Sequence, residues 1–142
     1  MQRTKLGQQG FTMIELIMVI VILGILSVVA IPKFIDMRTE AAKSHAEGVY
    51  AAAQAATVIN HAAVLMGKAA ADLPAYDVTS CANGLIAGTA AGTCLLKALE
   101  GTPEGWTASA KTVSKTIGTT TYTITVGTDQ TAIAKAVLGK SW

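Results

Sequence analysis

The sequence predicts an α+β protein: a very long N-terminal helix, hydrophobic all round in its first half, whose second half packs on a small sheet. Three observations carry that prediction. Leu16 to Pro32 runs for 17 residues without a charge. From Lys33 to Met66, apolar residues and alanines recur at helical spacing. Thr102 to Thr131 is rich in threonine and alternates polar with apolar residues. At 142 residues and 51% hydrophobic, the chain is long enough for one modest domain and too apolar for a disordered tail.

With Phe11 to Glu15 the apolar stretch reaches about 21 positions, which as a helix spans roughly 31 Å, near the thickness of a bilayer core. Arg3 and Lys5 precede it, and Lys33, Asp36, Arg38 and Glu40 follow. That bias keeps the start in the cytoplasm and exports the remainder. Overall, 11 Lys+Arg against 9 Asp+Glu leave a net charge of +2. This is far from the basic stripe that nucleic-acid phosphates require, so no nucleic acid is expected as a partner of the subunit.

Three ordinary readings compete for the apolar stretch: a secretory signal peptide cut after Val28-Val29-Ala30, a permanent anchor helix and a buried core helix. Against the signal peptide stands Glu15, a carboxylate inside the stretch that costs about 2.5 to 3.5 kcal/mol at a bilayer centre and less near its edge. Gly24 and Pro32 weaken the other two as simple rods. Thr12-Met13-Ile14-Glu15 reads as a capping box, in which each side chain accepts from the other residue's backbone N–H. The box explains a helix start and suits the helix dipole, but not why it lies among apolar residues. If the chain is cut just before Phe11, a new α-amino group appears, and that of a neighbouring copy can pair with Glu15 in the low-dielectric core of an assembly.

Lys5-Leu6-Gly7-Gln8-Gln9-Gly10, then Phe11-Thr12-Met13-Ile14-Glu15-Leu16, then the run to Pro32, resemble a type IV pilin precursor over roughly the first third of the chain. The resemblance implies that residues 1–10 are a leader, cleaved between Gly10 and Phe11 by a prepilin peptidase, and that Phe11 is then N-methylated. Residues 11–32 would lie in the inner membrane before assembly and in a filament core afterwards. Residues 33–66 would be the amphipathic half of the same helix, packed on an antiparallel sheet, and 67–142 a loop-rich connection with the C-terminal sheet. Glu15, with Thr12, would be the assembly residue. The implied partners are further copies in a homopolymer, the prepilin peptidase and the pilus assembly machinery. The implied product is an extracellular filament for adhesion, motility or DNA uptake. Ile31-Pro32-Lys33-Phe34 and the alanine-rich run after it resemble, over a short stretch, the mannose-sensitive haemagglutinin subgroup. A pseudopilin of a type II secretion system and a secreted binding domain or enzyme with an ordinary signal peptide are the alternatives.

Gly24 and Pro32 bound the weakest turns of the helix. Pro32 has no N–H for the carbonyl of Val28, and Gly24 costs about 1 kcal/mol relative to Ala. The resemblance implies that this stretch melts in a filament; a static kink is the alternative. Farther on, Ile35, Ala42, Val49, Ala56 and Ala63, with Ala46, Ala53, Ile59 and Met66, define a narrow apolar stripe ending at Gly67. Asp72 to Gly101 reads as a flexible loop holding Gly84, Gly88 and Gly92, with a short helical turn near Leu95 to Leu99. Cys81 and Cys94 are an even pair in an exported segment, which favours a disulfide; closing about 15 residues contributes roughly 3 kcal/mol in the chain-entropy picture. Strands are expected near Trp106–Ala110, Thr112–Ile117, Thr121–Val126 and Ala132–Leu138, the last with a helical alternative. Many pilins pin their C-terminal end with the disulfide, whereas Cys94 lies well before the end of this sequence, which leaves open how the last element is fastened.

Chemistry-bearing constellations are sparse. His45 and His61, on one helix, would sit roughly 24 Å apart along its axis and cannot share a metal. Ser44 and His45 are helix neighbours that do not face each other. No phosphate-cradling glycine loop or calcium-type acidic cluster occurs. Phe34 and Tyr50 would be about 24 Å apart, too far for ring contact. No catalytic site, metal or cofactor is expected.

Overall fold

A computed structural model describes residues 10–99 and 101–142. The chain divides into two units, residues 1–40 and 41–142. One helix, α1 (Met13–Leu65), contributes to both. In the first unit its residues Met13 to Ile35 are exposed on every side. The second unit contains the rest of α1, α2 (Ala91–Ala98) and a four-stranded antiparallel sheet, β1 (Thr107–Ser109), β2 (Thr112–Ile117), β3 (Thr120–Thr128) and β4 (Val137–Ser141), in sequential order. This is the expected α+β arrangement of a long N-terminal helix on a small sheet.

Within the second unit α1 buries Ala46, Val49, Ala53, Ala56, Thr57, Asn60 and Ala63. The alanine stripe is thus where the spacing put it, except at Ile35, Ile59 and Met66. Ile59 and Met66 are exposed, because at 3.6 residues per turn they lie about 120° and 140° around the helix from Ala53. Ile35, also exposed, shares the azimuth of Ala53 but belongs to the first unit. The sector they were expected to fill is occupied by Thr57 and Asn60, buried polar residues that satisfy themselves by hydrogen bonds. Thr57 Oγ1 donates to Gln54 O at 2.7 Å. Gly67, at φ +70°, ends the helix. Its N–H donates to Val64 O and that of Lys68 to Ala63 O, the two bonds of a Schellman stop.

The connection from Gly67 to the sheet is tied to α1 by directed hydrogen bonds. Asn60 Nδ2 donates to Gly84 O at 3.0 Å and to Gln130 Oε1 at 2.9 Å, while its Oδ1 accepts from the N–H of Ala75 at 2.9 Å. Gln130 Oε1 also accepts from Ile86 N–H, and Gln130 N–H donates to Ile86 O. One buried carboxamide on α1 therefore ties together three distant segments. Cys81 and Cys94 form a disulfide with Cα atoms 5.6 Å apart. It joins this connection to α2, which starts at Ala91, four residues before the expected helical turn. Gly92 is buried in α2, donates to Ala110 O at 2.9 Å, and leaves no room for a Cβ against the backbone of Thr112. Its missing side chain serves close packing of helix on strand, not loop freedom.

β2 has its expected bounds, and β1 and β3 fall within two residues of theirs. Gly118, at φ +64°, holds the first place of the two-residue turn between β2 and β3. β4 is displaced from expectation: the Thr131 hydroxyl accepts from Ala134 N–H at 3.0 Å and Thr131 N–H donates to Ala134 O, curling residues 131–134 into a turn. Pairing with β3 begins only at Val137, beside a bulge at Val126/Thr128. Neither the earlier strand nor its helical alternative forms.

The last strand is fastened by side chains rather than by the disulfide. Tyr50 Oη donates to Leu138 O at 3.1 Å, Lys140 pairs with Glu47, and Trp142 Nε1 donates to Glu47 Oε1 at 3.1 Å. The Trp142 ring meets Tyr50 and Tyr122 edge-on, with centroids 6.1 and 5.6 Å away. The Lys140 ammonium, with the Trp142 indole adding to it, holds the Glu47 carboxyl below the ordinary carboxylate range.

Two expectations follow. Asn60→Ala leaves the buried Ala75 N–H and Gly84 carbonyl without their partner, and should lower unfolding free energy by about 3 kcal/mol, read by denaturant titration of the full chain in micelles. Because the folded pKa of Glu47 is depressed, the unfolded chain binds the proton first. The stability from this pair is therefore present above the unfolded value near pH 4.3 and fades as pH falls through the lower folded value. Glu47→Gln should lose less of its thermal midpoint between pH 6 and pH 3 than the parent chain.

Candidate assembly site

Gly10 and Phe11 precede α1, and Phe11 is 90% exposed. A glycine with nothing within 4 Å of where a Cβ would stand permits close approach by another molecule. Residues 1–9, which are the proposed leader apart from Gly10, lie outside the described residues.

The helix opens on the capping box read from the sequence. Glu15 N–H donates to Thr12 Oγ1, and Thr12 N–H and Oγ1 both donate to Glu15 Oε2, each at 3.3 Å. Leu16 N–H then donates to Thr12 O at 3.2 Å. Two of these bonds, both from Thr12, hold the carboxylate at the positive end of the helix, where the dipole favours a negative charge. Both residues are exposed, so the carboxylate oxygens remain open to a group outside the chain.

Behind the box, α1 is apolar enough to cross a membrane by length and composition, and none of that window is buried within the molecule. A helix apolar all round is stable only in lipid or against other apolar surfaces. α1 continues through Gly24 and Pro32 without interruption. The Ser27 hydroxyl donates to Gly24 O at 2.8 Å. Serine back-bonding of this kind slightly weakens and often bends a helix, adding to the effects of Gly24 and Pro32. Ser27 lies between them in sequence; sequence reasoning passed over it, although a hydroxyl in a run of aliphatic residues is a signal of its own.

Among the described residues, no group of three or more His, Cys, Asp or Glu is placed to hold a metal ion. His45 is exposed, and His61 is half-buried with its Nδ1 unpaired. Asp77, four residues before Cys81, accepts from the Thr79 hydroxyl and from the N–H groups of Thr79 and Ser80, which depress its pKa. Asp129 is held low chiefly by Lys111, 2.8 Å away, and then by Gly88 N–H. Asp77 is engaged in holding its own turn, and Asp129 in tying Gly88 and Lys111 to the segment after β3.

Site and fold together define a class: a membrane-length apolar helix, capped by Thr12 and Glu15, that continues into a pilin-like α+β unit. Residues 5–31 match the prokaryotic N-terminal methylation motif, the motif of type IV pilin precursors. The chain is 43% identical over 51 residues to the type IV narrow pilus major component PilA5 of Thermus thermophilus. That match covers 36% of this chain and 44% of the relative, so the chain spans less than half the length of the curated relative it matches. No solved structure matches.

Proposed function

We propose that this chain is a structural subunit of a bacterial type IV pilus, whose biochemical act is polymerisation into an extracellular filament. The observation that carries the reading is the methylation motif placed on a helix whose apolar surface is exposed on every side. A prepilin peptidase would cleave between Gly10 and Phe11, and Phe11 would be N-methylated. Residues 11–32 would rest in the inner membrane and then exchange lipid for copies of themselves. The two surroundings have similar polarity, so the transfer is not opposed by hydrophobic burial, and specific packing and electrostatics must direct it.

Glu15 supplies that direction. Its carboxylate, already at the helix start, would accept the α-amine of a neighbouring copy's Phe11 within the filament core. Leaving one member of such a buried pair alone costs about 3 to 5 kcal/mol, at least a hundredfold in the subunit concentration that sustains growth. Mass spectrometry of the mature protein should find N-methylated Phe11 at its start; a start at Ile31 would refute the reading. Glu15→Gln, which keeps the size and removes the charge, should lower fibre yield by a hundredfold or more while leaving processing intact. Undiminished yield would remove Glu15 from the proposed role.

Within the filament, the Gly24–Pro32 turns would melt. A residue passing from 1.5 Å of helical rise to about 3.3 Å of extended rise gives axial compliance. In fibres, the amides from Gly24 to Ile31 should exchange faster than those on either side, and Gly24→Ala with Pro32→Ala should abolish the difference. Equal protection in the parent fibre would indicate a static helix.

A further inference from the structure

The second half of α1 has a flank that its own chain leaves open. From Gly48 to Met66 the sequence contains no Asp, Glu, Lys or Arg. Beside this stretch lies an apolar groove of about 290 Å³, lined by Ala52, Ala55 and Ile59 on α1 and by Pro74, Leu99 and Pro103 from the segments around it. Hydrogen bonds fix the wall that faces α1: the N–H of Ala75 donates to Asn60 Oδ1 at 2.9 Å, and that of Trp106 to Pro103 O at 3.1 Å. Two prolines without N–H groups, and one carbonyl already taken, leave little for water to bond. Helix propensity accounts for the alanines, but lysine and glutamate are also good helix formers and would serve a solvated flank. The absence of charge therefore has no explanation in the helix itself.

The opposite flank carries a projection. At 3.6 residues per turn, Ala52 and Ile59 lie about 100° and 120° from Ala53 in one direction, and Tyr50 and Glu47 about 60° and 120° in the other. Tyr50 and Glu47 hold β4. The turn at residues 131–134 leads into β4, between Gln130, bonded to Asn60, and Leu138, bonded to Tyr50. It thus stands beside the same stretch of α1 whose other flank forms the groove. Ile133 is 90% exposed on this turn, with exposed Ala132 and Ala134 beside it. Singly exposed aliphatic residues are ordinary, but turns favour glycine, asparagine, aspartate and serine. The Thr131 hydroxyl braces this one by accepting from the N–H groups of Ile133 and Ala134 at 3.4 and 3.0 Å. The backbone that carries Ile133 is therefore ordered before any partner arrives.

We propose that the groove is an interface between copies of this chain, and that it receives Ile133 of the next copy. Neither the groove nor the turn is charged, so no ion is stranded when water leaves. The volume lies just below the range of small-molecule pockets, about 300–1,000 Å³, and suits one aliphatic side chain flanked by alanines. Projection and groove are different surfaces on opposite flanks, so the contact is heterologous. Each copy receives one neighbour and is received by another, which builds a filament or ring rather than a two-fold dimer. One inserted side chain buries far less than the roughly 1,200 Å² of a stable interface, so the contact forms where α1 already gathers copies. It rests on the pilus reading and adds to it a contact between the 41–142 units of neighbours.

Fibres carrying both Ala55→Cys and Ile133→Cys, mildly oxidised, should give a ladder of dimers, trimers and longer chains on non-reducing gels. Each single variant should stay monomeric. The native cysteines do not contribute, because they are buried and bonded to each other. Ile133→Asp should lower fibre yield on the order of tenfold, while Ile133→Leu should stay within a factor of about two of the parent. Because Ile133 is exposed in the single chain, neither change should move the thermal midpoint in micelles, which separates loss of contact from loss of fold. The inference is overturned if the double variant gives no ladder, if either single variant links to itself, or if the aspartate variant assembles like the parent. It is overturned equally if Ala55→Cys links to Ile22→Cys instead, which would seat another copy's apolar helix in the groove. Fibres without the ladder leave the pilus reading intact, whereas a parent chain that forms no fibres removes both.

Discussion

What α1 offers its own chain is mostly alanine, and much of the fold of the 41–142 unit follows from that. Ala46, Ala53, Ala56 and Ala63, with Val49, are its buried apolar residues. Side chains this small remove little apolar area from water individually, so they stabilise mainly by letting other elements approach closely. Gly92 in α2 makes the same concession toward the backbone of Thr112. Large side chains come from the sheet, from α2 and from the segments that connect them to α1 and to each other: Ile86, Leu95, Trp106, Val113, Tyr122, Ile124 and Val126 are buried. Where contact by small residues ends, polar groups take over, and Asn60 and the Glu47–Tyr50 pair anchor distant segments to the helix through directed hydrogen bonds.

The first half of α1 meets the opposite condition. Its side chains are large and aliphatic, and none is buried by its own chain. Such a surface is a standing demand for a covering that the subunit does not supply. The one carboxylate in that stretch is at the helix start, where the Thr12 box and the dipole stabilise it without a partner. Capping and assembly are therefore complementary rather than competing accounts of Glu15. The box fixes the carboxylate's position and leaves it able to accept one more charged donor.

Legibility in the sequence followed the range of the interaction. Features set by a few adjacent residues were readable: the Thr12–Glu15 box, the Gly67 stop, the bounds of β2 and the alanine stripe through Ala46, Ala53 and Ala56. Features set by residues far apart were not. Asn60 and Gln130 lie 70 positions apart and show their purpose only when they meet. A search for apolar periodicity passes over both, and it assigns to Ile59 the inward place that Asn60 takes. The turn that displaces β4 depends on the Thr131 hydroxyl, a residue that reads equally well as part of a strand. The aromatic clamp of Tyr50, Tyr122 and Trp142 unites three residues with no local pattern. At the candidate site the local residues were all visible, and Ser27 was the only addition.

A further consequence concerns how a sheet with an uncharged outer face avoids pairing edge to edge with other sheets. Exposed strand edges are usually protected by lysine, proline or a bulge. β1 is only three residues long, which limits the template it presents. β4 is five residues long and carries Lys140, whose ammonium also lies 5.2 Å from the Tyr50 ring and 5.4 Å from that of Trp142. The β3 bulge adds local twist where β4 begins. Protection is thus placed at the edges and the inner side, so charge is not needed on the outer face to keep subunits apart. That leaves the outer face free of charge: one row across the four strands carries four hydroxyls, Thr107, Ser114, Thr123 and Ser141, and the next carries three and ends on Gly139.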